Sequence, residues 1–152
     1  MRFIITYENI AFNGQAQYLK DEYSFSYDPW NDVNFSILIE QGYNSLDVKL
    51  ETDRVFQVTG INPNYNWIEK ELVAPVFQRG ILTVSFDEKH QEGTGIQYAN
   101  DWQTYFNRKT GWVCIGNPDC SIESKSVEFA KNSVAVIENG KLSSIWIRPQ
   151  FV

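Results

Sequence analysis

The stretch Ser133-Val134-Ala135-Val136-Ile137-Glu138-Asn139-Gly140-Lys141-Leu142-Ser143-Ser144-Ile145-Trp146-Ile147 reads as a β-hairpin. A two-residue Asn-Gly turn needs positive φ at both positions, which Asn and Gly tolerate best. Its twist also matches that of the flanking strands. The turn sets Glu138 opposite Lys141, a favourable cross-strand charge pair. A regular ladder then places Ala135, Ile137, Leu142 and Trp146 on one face, and Val134, Val136, Ile145 and Ile147 on the other. Both faces are apolar, so the pair belongs inside the fold, covered on both sides.

The rest of the chain repeats this grammar. Residues 2–7, 34–40, 45–51, 54–59, 80–86, 110–115 and 126–130 read as short strands separated by turn residues. Residues 34–40 and 45–51 form a second hairpin through Gln41-Gly42-Tyr43-Asn44. In it Leu46, Val48 and Leu50 alternate with Asp47, Lys49 and Glu51, the mark of one buried face and one wet face. Gly60 ends the strand before it, and residues 87–95 are a charged, exposed loop. Residues 16–23 read as a short helix or turn, from the spacing of Leu19 and Tyr23, and residues 67–73 as one or two helical turns, from an Asn66/Glu69 capping pair. Between residues 99 and 106 the pattern leans to strand. The expectation is one all-β domain over residues 1–152, an antiparallel sandwich or flattened barrel with one or two short helices at most. Aromatic residues make up 15% of the chain, which favours pleated surfaces over helix bundles.

The formal net charge is −6, and such a chain repels phosphate backbones and anionic membrane surfaces. Nucleic acid and membrane are therefore not expected partners, whereas a basic protein is attracted. No run approaches the roughly 20 apolar residues of a membrane helix. The apolar run at the start is too short for a signal-peptide core, and Cys114 and Cys120 make no disulfide framework. These features point to the cytoplasm and to a bacterial-type protein.

Catalytic signatures are sparse. His90 is the one histidine, set among Asp87, Glu88, Lys89 and Glu92, and this pattern has no metal-ligand spacing. There is no nucleophile elbow, and Gly93-Thr94-Gly95 lacks the lysine of a phosphate loop. Asp28 and Asp32 do not follow a calcium-loop pattern. No catalytic residue, metal or cofactor is assigned. The carboxylate pairs Glu88/Glu92 and Asp101/Glu51 leave a hydrolase as the third reading, together with His90.

One constellation stands out: loops that mix aromatic rings with Asn and Asp. Its candidate binding residues are Trp30, Tyr43, Tyr65, Trp67, Tyr98, Asp101 and Trp102. Rigid rings with polar tips suit a protein interface, and they equally suit a sugar, whose apolar face stacks while its hydroxyls pair. The leading expectation is a small acidic, non-enzymatic protein that contacts and neutralises a basic protein. A carbohydrate-binding module with Trp30, Tyr65, Trp67 and Trp102 as platforms is the alternative.

Overall fold

The computed structural model describes residues 1–39 and 43–152. The strands are β1 (Arg2–Tyr7), β2 (Gln15–Leu19), β3 (Ser24–Asp28), β4 (Phe35–Ile39), β5 (Asn44–Lys49), β6 (Arg54–Ile61), β7 (Ile68–Glu69) and β8 (Gln78–Ser85). They continue as β9 (Thr94–Ala99), β10 (Thr104–Phe106), β11 (Val113–Gly116), β12 (Lys125–Ala130), β13 (Ser133–Glu138), β14 (Lys141–Ile147) and β15 (Gln150–Phe151). The expected all-β class is observed. No α-helix occurs among the described residues, and a single 3-10 turn spans Asn64–Asn66.

The sheet is mixed, not purely antiparallel. Its path runs β15-β2-β3-β6-β8-β12-β13-β14-β11-β10-β7, with β5, β4 and β9 branching from β6. Four pairings are parallel: β15/β2, β4/β9, β8/β12 and β7/β10. β8 is the joint between two halves. One side pairs with β1; the other meets β6 at Thr83 and β12 at Gln78 and Arg79. The ends of the path are joined by side chains. Trp67 lies 4.8 Å from the Tyr18 ring of β2 and 5.4 Å from Phe106 of β10, and Phe106 lies 5.8 Å from Phe151 of β15.

Of two core clusters among the described residues, the larger draws on β1 to β6, β8 and β11 to β14. The Asn-Gly turn forms as read, with φ of 52° at Asn139 and 76° at Gly140, and Glu138 opposes Lys141. The faces of its second strand differ from a regular ladder. Val136 pairs with Ser144 while Ile137 pairs with Leu142, so Ser143 is the extra residue of a bulge. That one residue exchanges the faces: Ile145 and Ile147 join Ala135, Ile137 and Leu142 in the core, and Trp146 joins Val134 and Val136 outside. The outer group is roofed by Leu72, Ala74 and Phe77 of the segment after β7, with Tyr105 and Trp112 beside it. The hairpin is thus central and covered on both sides.

Neither 16–23 nor 67–73 is helical. In residues 16–23, Ala16 and Tyr18 alternate into the core as β2, and residues 20–23 form the turn that leads to β3. After Asn66, Trp67 is extended at ψ 143°, and β7 pairs with β10. The packing of the half-buried Trp67 ring against the core and its Nε1 donation to Asn62 Oδ1 at 3.0 Å outweigh a weak capping preference. β6 continues through Gly60 to Ile61, because glycine accepts the φ of 115° found there. Gln41 and Gly42 of the proposed turn lie outside the described residues. Thr94 and Gly95, assigned to a loop, begin β9. The 99–106 stretch divides between β9 and β10, with Trp102 between them. No described helix is long and apolar enough to cross a membrane.

Candidate functional site

The seven aromatic-loop residues do not share one surface. Trp67, Tyr98 and Trp102 are half-buried against the main core. Tyr98 Oη accepts from the Leu142 N–H at 2.9 Å, and its ring meets Phe3 at 5.5 Å and Trp102 at 6.1 Å. Trp102 lies flat on Gly116, where a Cβ would sit 2.7 Å from the ring. These rings close the core edge. Trp30, Tyr43, Tyr65 and Asp101 are exposed. His90 packs in a three-ring cluster with Phe35 at 4.9 Å and Phe86 at 5.0 Å. It has no hydrogen-bond partner among the described residues. No cluster of three or more His, Cys, Asp or Glu with metal-binding geometry occurs there either.

A different group converges. On β5, Leu46 and Val48 enter the core, so Ser45 and Asp47 point the other way. On β6, Val58 enters the core, while Gln57 and Thr59 face Asp47 and Ser45 in register. Alternation predicts a wet face here, yet Asp47 is buried, and so are Gln57, Ser45 and Thr59. The cover is the segment between β3 and β4. Both the N–H and the Nδ2 of Asn31 donate to Gln57 Oε1, at 3.0 and 3.1 Å, and Asn34 Oδ1 accepts from the Leu50 N–H at 2.9 Å. Lys49 Nζ ties to Asp32 at 2.9 Å on the outside.

Asp47 is the centre of this network. Ser45 Oγ donates to Oδ1 at 2.7 Å; Thr59 Oγ1 and Gln57 Nε2 donate to Oδ2 at 2.8 and 3.0 Å. Among the described residues no ion pair neutralises the carboxylate. Burial pushes its pKa up, and the hydrogen bonds from Gln57, Ser45, Thr59 and Ser36 oppose that shift. Ser45 Oγ and Thr59 Oγ1 also stand 3.1 Å apart, within hydrogen-bond distance of each other, and either can be the donor. Asp47 is thus the acceptor on which three side-chain donors converge.

Above it opens a pocket of about 350 Å³, lined by Trp30, Asn34, Ser36, Ser45, Asp47 and Thr59. The Trp30 ring stands at the rim, 60% exposed. Such a pocket favours a ligand that brings N–H or O–H donors, above all a cation, and disfavours an anion. Trp30 was the sequence clue to this place. The polar positions on β5 and β6 were legible as a face, but their burial was not.

The raised pKa of Asp47 has a measurable consequence. Its folded state holds the proton to higher pH than the unfolded chain, so Asp47 lowers stability as pH rises from the ordinary carboxylate range upwards. Urea midpoints of the wild type and Asp47→Asn, compared from about pH 4 to about pH 8, isolate this contribution. The wild type should lose stability relative to Asp47→Asn as pH rises, and a flat or rising difference contradicts the assignment.

No protein-family model matches the chain, and neither the curated proteins nor the solved structures contain a match.

Proposed function

We propose that this is a non-catalytic binding protein that holds a basic protein partner, with one Lys or Arg side chain of the partner entering the pocket beneath Trp30. The observation that carries the reading is the buried carboxylate of Asp47, which accepts from Ser45, Thr59 and Gln57 and has no cation paired to it among the described residues. In a site shielded from water, a charge–charge contact is worth several times what it is worth at the surface. The indole face of Trp30 adds a cation–π surface at the entrance. The net charge of −6 speeds the approach of a basic partner. Two unbridged thiols, Cys114 and Cys120, support a reducing, cytoplasmic compartment.

A sugar is the second reading. Its hydroxyls would donate to the same oxygens and its apolar face would stack on Trp30. The uncompensated charge of Asp47 favours the cation.

Nα-acetyl-lysine methylamide, its uncharged norleucine counterpart and a panel of monosaccharides discriminate the two by nuclear magnetic resonance. The lysine derivative should shift the Ser45 and Thr59 amides and the Trp30 indole saturably. The norleucine derivative should not, and Asp47→Asn should weaken the lysine effect by about tenfold or more. Shifts with sugars and none with lysine would replace this reading by the glycan one.

A further inference from the structure

The pocket does not stand alone on its face. Tyr43 immediately precedes β5, Ile61 ends β6, and Tyr23 immediately precedes β3. The register brings these ends together: Asn44 pairs with Gly60, and Gly60 and Ile61 pair with Phe25 and Ser24. Tyr65 packs edge-on against Tyr23 with ring centroids 5.4 Å apart. All four side chains are exposed: Tyr43 71%, Tyr65 72%, Ile61 52% and Tyr23 42%.

The backbone makes this group harder to explain as structure. Tyr23 and Tyr43 have φ of 52° and 57°, the left-handed region where the Cβ of an L-residue is crowded. Asn or Gly fits such positions, and a bulky ring is out of place there. Neither ring repays that strain by filling the core, because both face solvent. The fold would accept smaller residues at both sites.

The group is also continuous with the pocket. Tyr43 lies one position before β5 and four before Asp47, a separation of at most about 13 Å at about 3.3 Å per residue. Ser45 and Thr59, facing each other across β5 and β6, bridge the interval. An extended partner segment laid along the strand covers the same distance in four residues.

We propose that Tyr23, Tyr43, Ile61 and Tyr65 form the second half of the partner site, which receives a large apolar or aromatic side chain four residues from the basic one in an extended segment. This inference rests on the reading of the Asp47 pocket given above. Exposed tyrosines suit this role, since they supply wide contact area with few rotatable bonds to freeze.

The probes are three synthetic peptides: acetyl-Lys-Ser-Ser-Ser-Trp-amide, the same peptide with Ser for Trp, and the same peptide with Ser for Lys. Titrations against the wild type, Tyr43→Gly and Asp47→Asn are followed by nuclear magnetic resonance. The Lys/Trp peptide should bind the wild type about tenfold more tightly than the peptide lacking Trp. That ratio should fall to near one in Tyr43→Gly. The urea midpoint of Tyr43→Gly should equal or exceed that of the wild type, a result that a structural tyrosine would not give. A fallen midpoint, or a ratio that survives the substitution, overturns the inference. So does concentration-dependent self-association that shifts the Tyr23 and Tyr43 resonances, since a second copy would then own the surface. Lysine-dependent binding without any gain from Trp sinks this inference alone. Binding indifferent to Lys sinks the pocket reading and, with it, the spacing.

Discussion

Trp146→Ala is expected to remove about 4 kcal/mol of stability, a large share of the roughly 5–15 kcal/mol that holds a domain of this size. The side chain is completely buried, and its Nε1 donates to Ser144 Oγ at 3.0 Å. It is the floor of the outer cluster. Leu72 and Phe77 of the covering segment rest on the same patch as Val134, Val136 and Cys114, and Trp112 meets the Trp146 ring edge-on at 6.4 Å. Truncation leaves a void between two backbone layers, because β14 is held between β13 and β11 and cannot move inward. Trp30→Ala is the control, since a ring this exposed should change stability by less than about 0.5 kcal/mol. Urea unfolding of both variants measures the contrast. A loss under about 1 kcal/mol for Trp146→Ala would mean that the outer cluster is not packed as a core.

The second large effect is at Gly60. A Cβ added there would lie 2.1 Å from the carbonyl oxygen of Tyr43 and 3.1 Å from Asn44 Cα. Both obstacles are backbone, so no side chain can swing aside. The φ of 115° is also closed to alanine. Gly60 is paired with β5 on one side and β3 on the other, which prevents it from retreating without breaking a ladder. Gly60→Ala should therefore cost about 3 kcal/mol or more, with the Asp47 network disturbed alongside. Gly93→Ala provides the comparison. Its φ of 79° is also left-handed, but no atom lies within 4 Å, so only the conformational penalty of about 1 kcal/mol applies. Thermal unfolding of the pair tests the point, and equal losses would show that the close approach to Tyr43 carries no weight.

The elements that the sequence makes legible are those whose signal is local. The Asn139-Gly140 reversal needs only two residues able to adopt positive φ, and it forms where expected. The strand over residues 80–86 and the 34–51 hairpin follow from alternation within a few positions, and both are present. Of residues 16–23 the turn over 20–23 is present, but residues 16–19 are strand, because Ala16 and Tyr18 have core partners that no local window contains. The Tyr18 hydroxyl, for example, donates to the carbonyl of Asn62 at 2.7 Å, 44 residues away.

The candidate site follows the same division. Trp30 stands out by composition, a ring among Asp and Asn. Alternation puts Asp47 on a wet face, because period two says which side a residue takes and nothing about what covers that side. The cover comes from a bond between Asn31 and Gln57, 26 positions apart.

By itself the sequence determined the class of fold, the position of the central hairpin and an acidic surface, since alternation, turn chemistry and net charge act locally or by summation. Tertiary structure alone decided that Asp47 is buried, that Trp146 faces outward past the Ser143 bulge, and that Tyr23 and Tyr65 meet. Those outcomes depend on which distant segments pack together, and each residue's neighbours along the chain are silent about that.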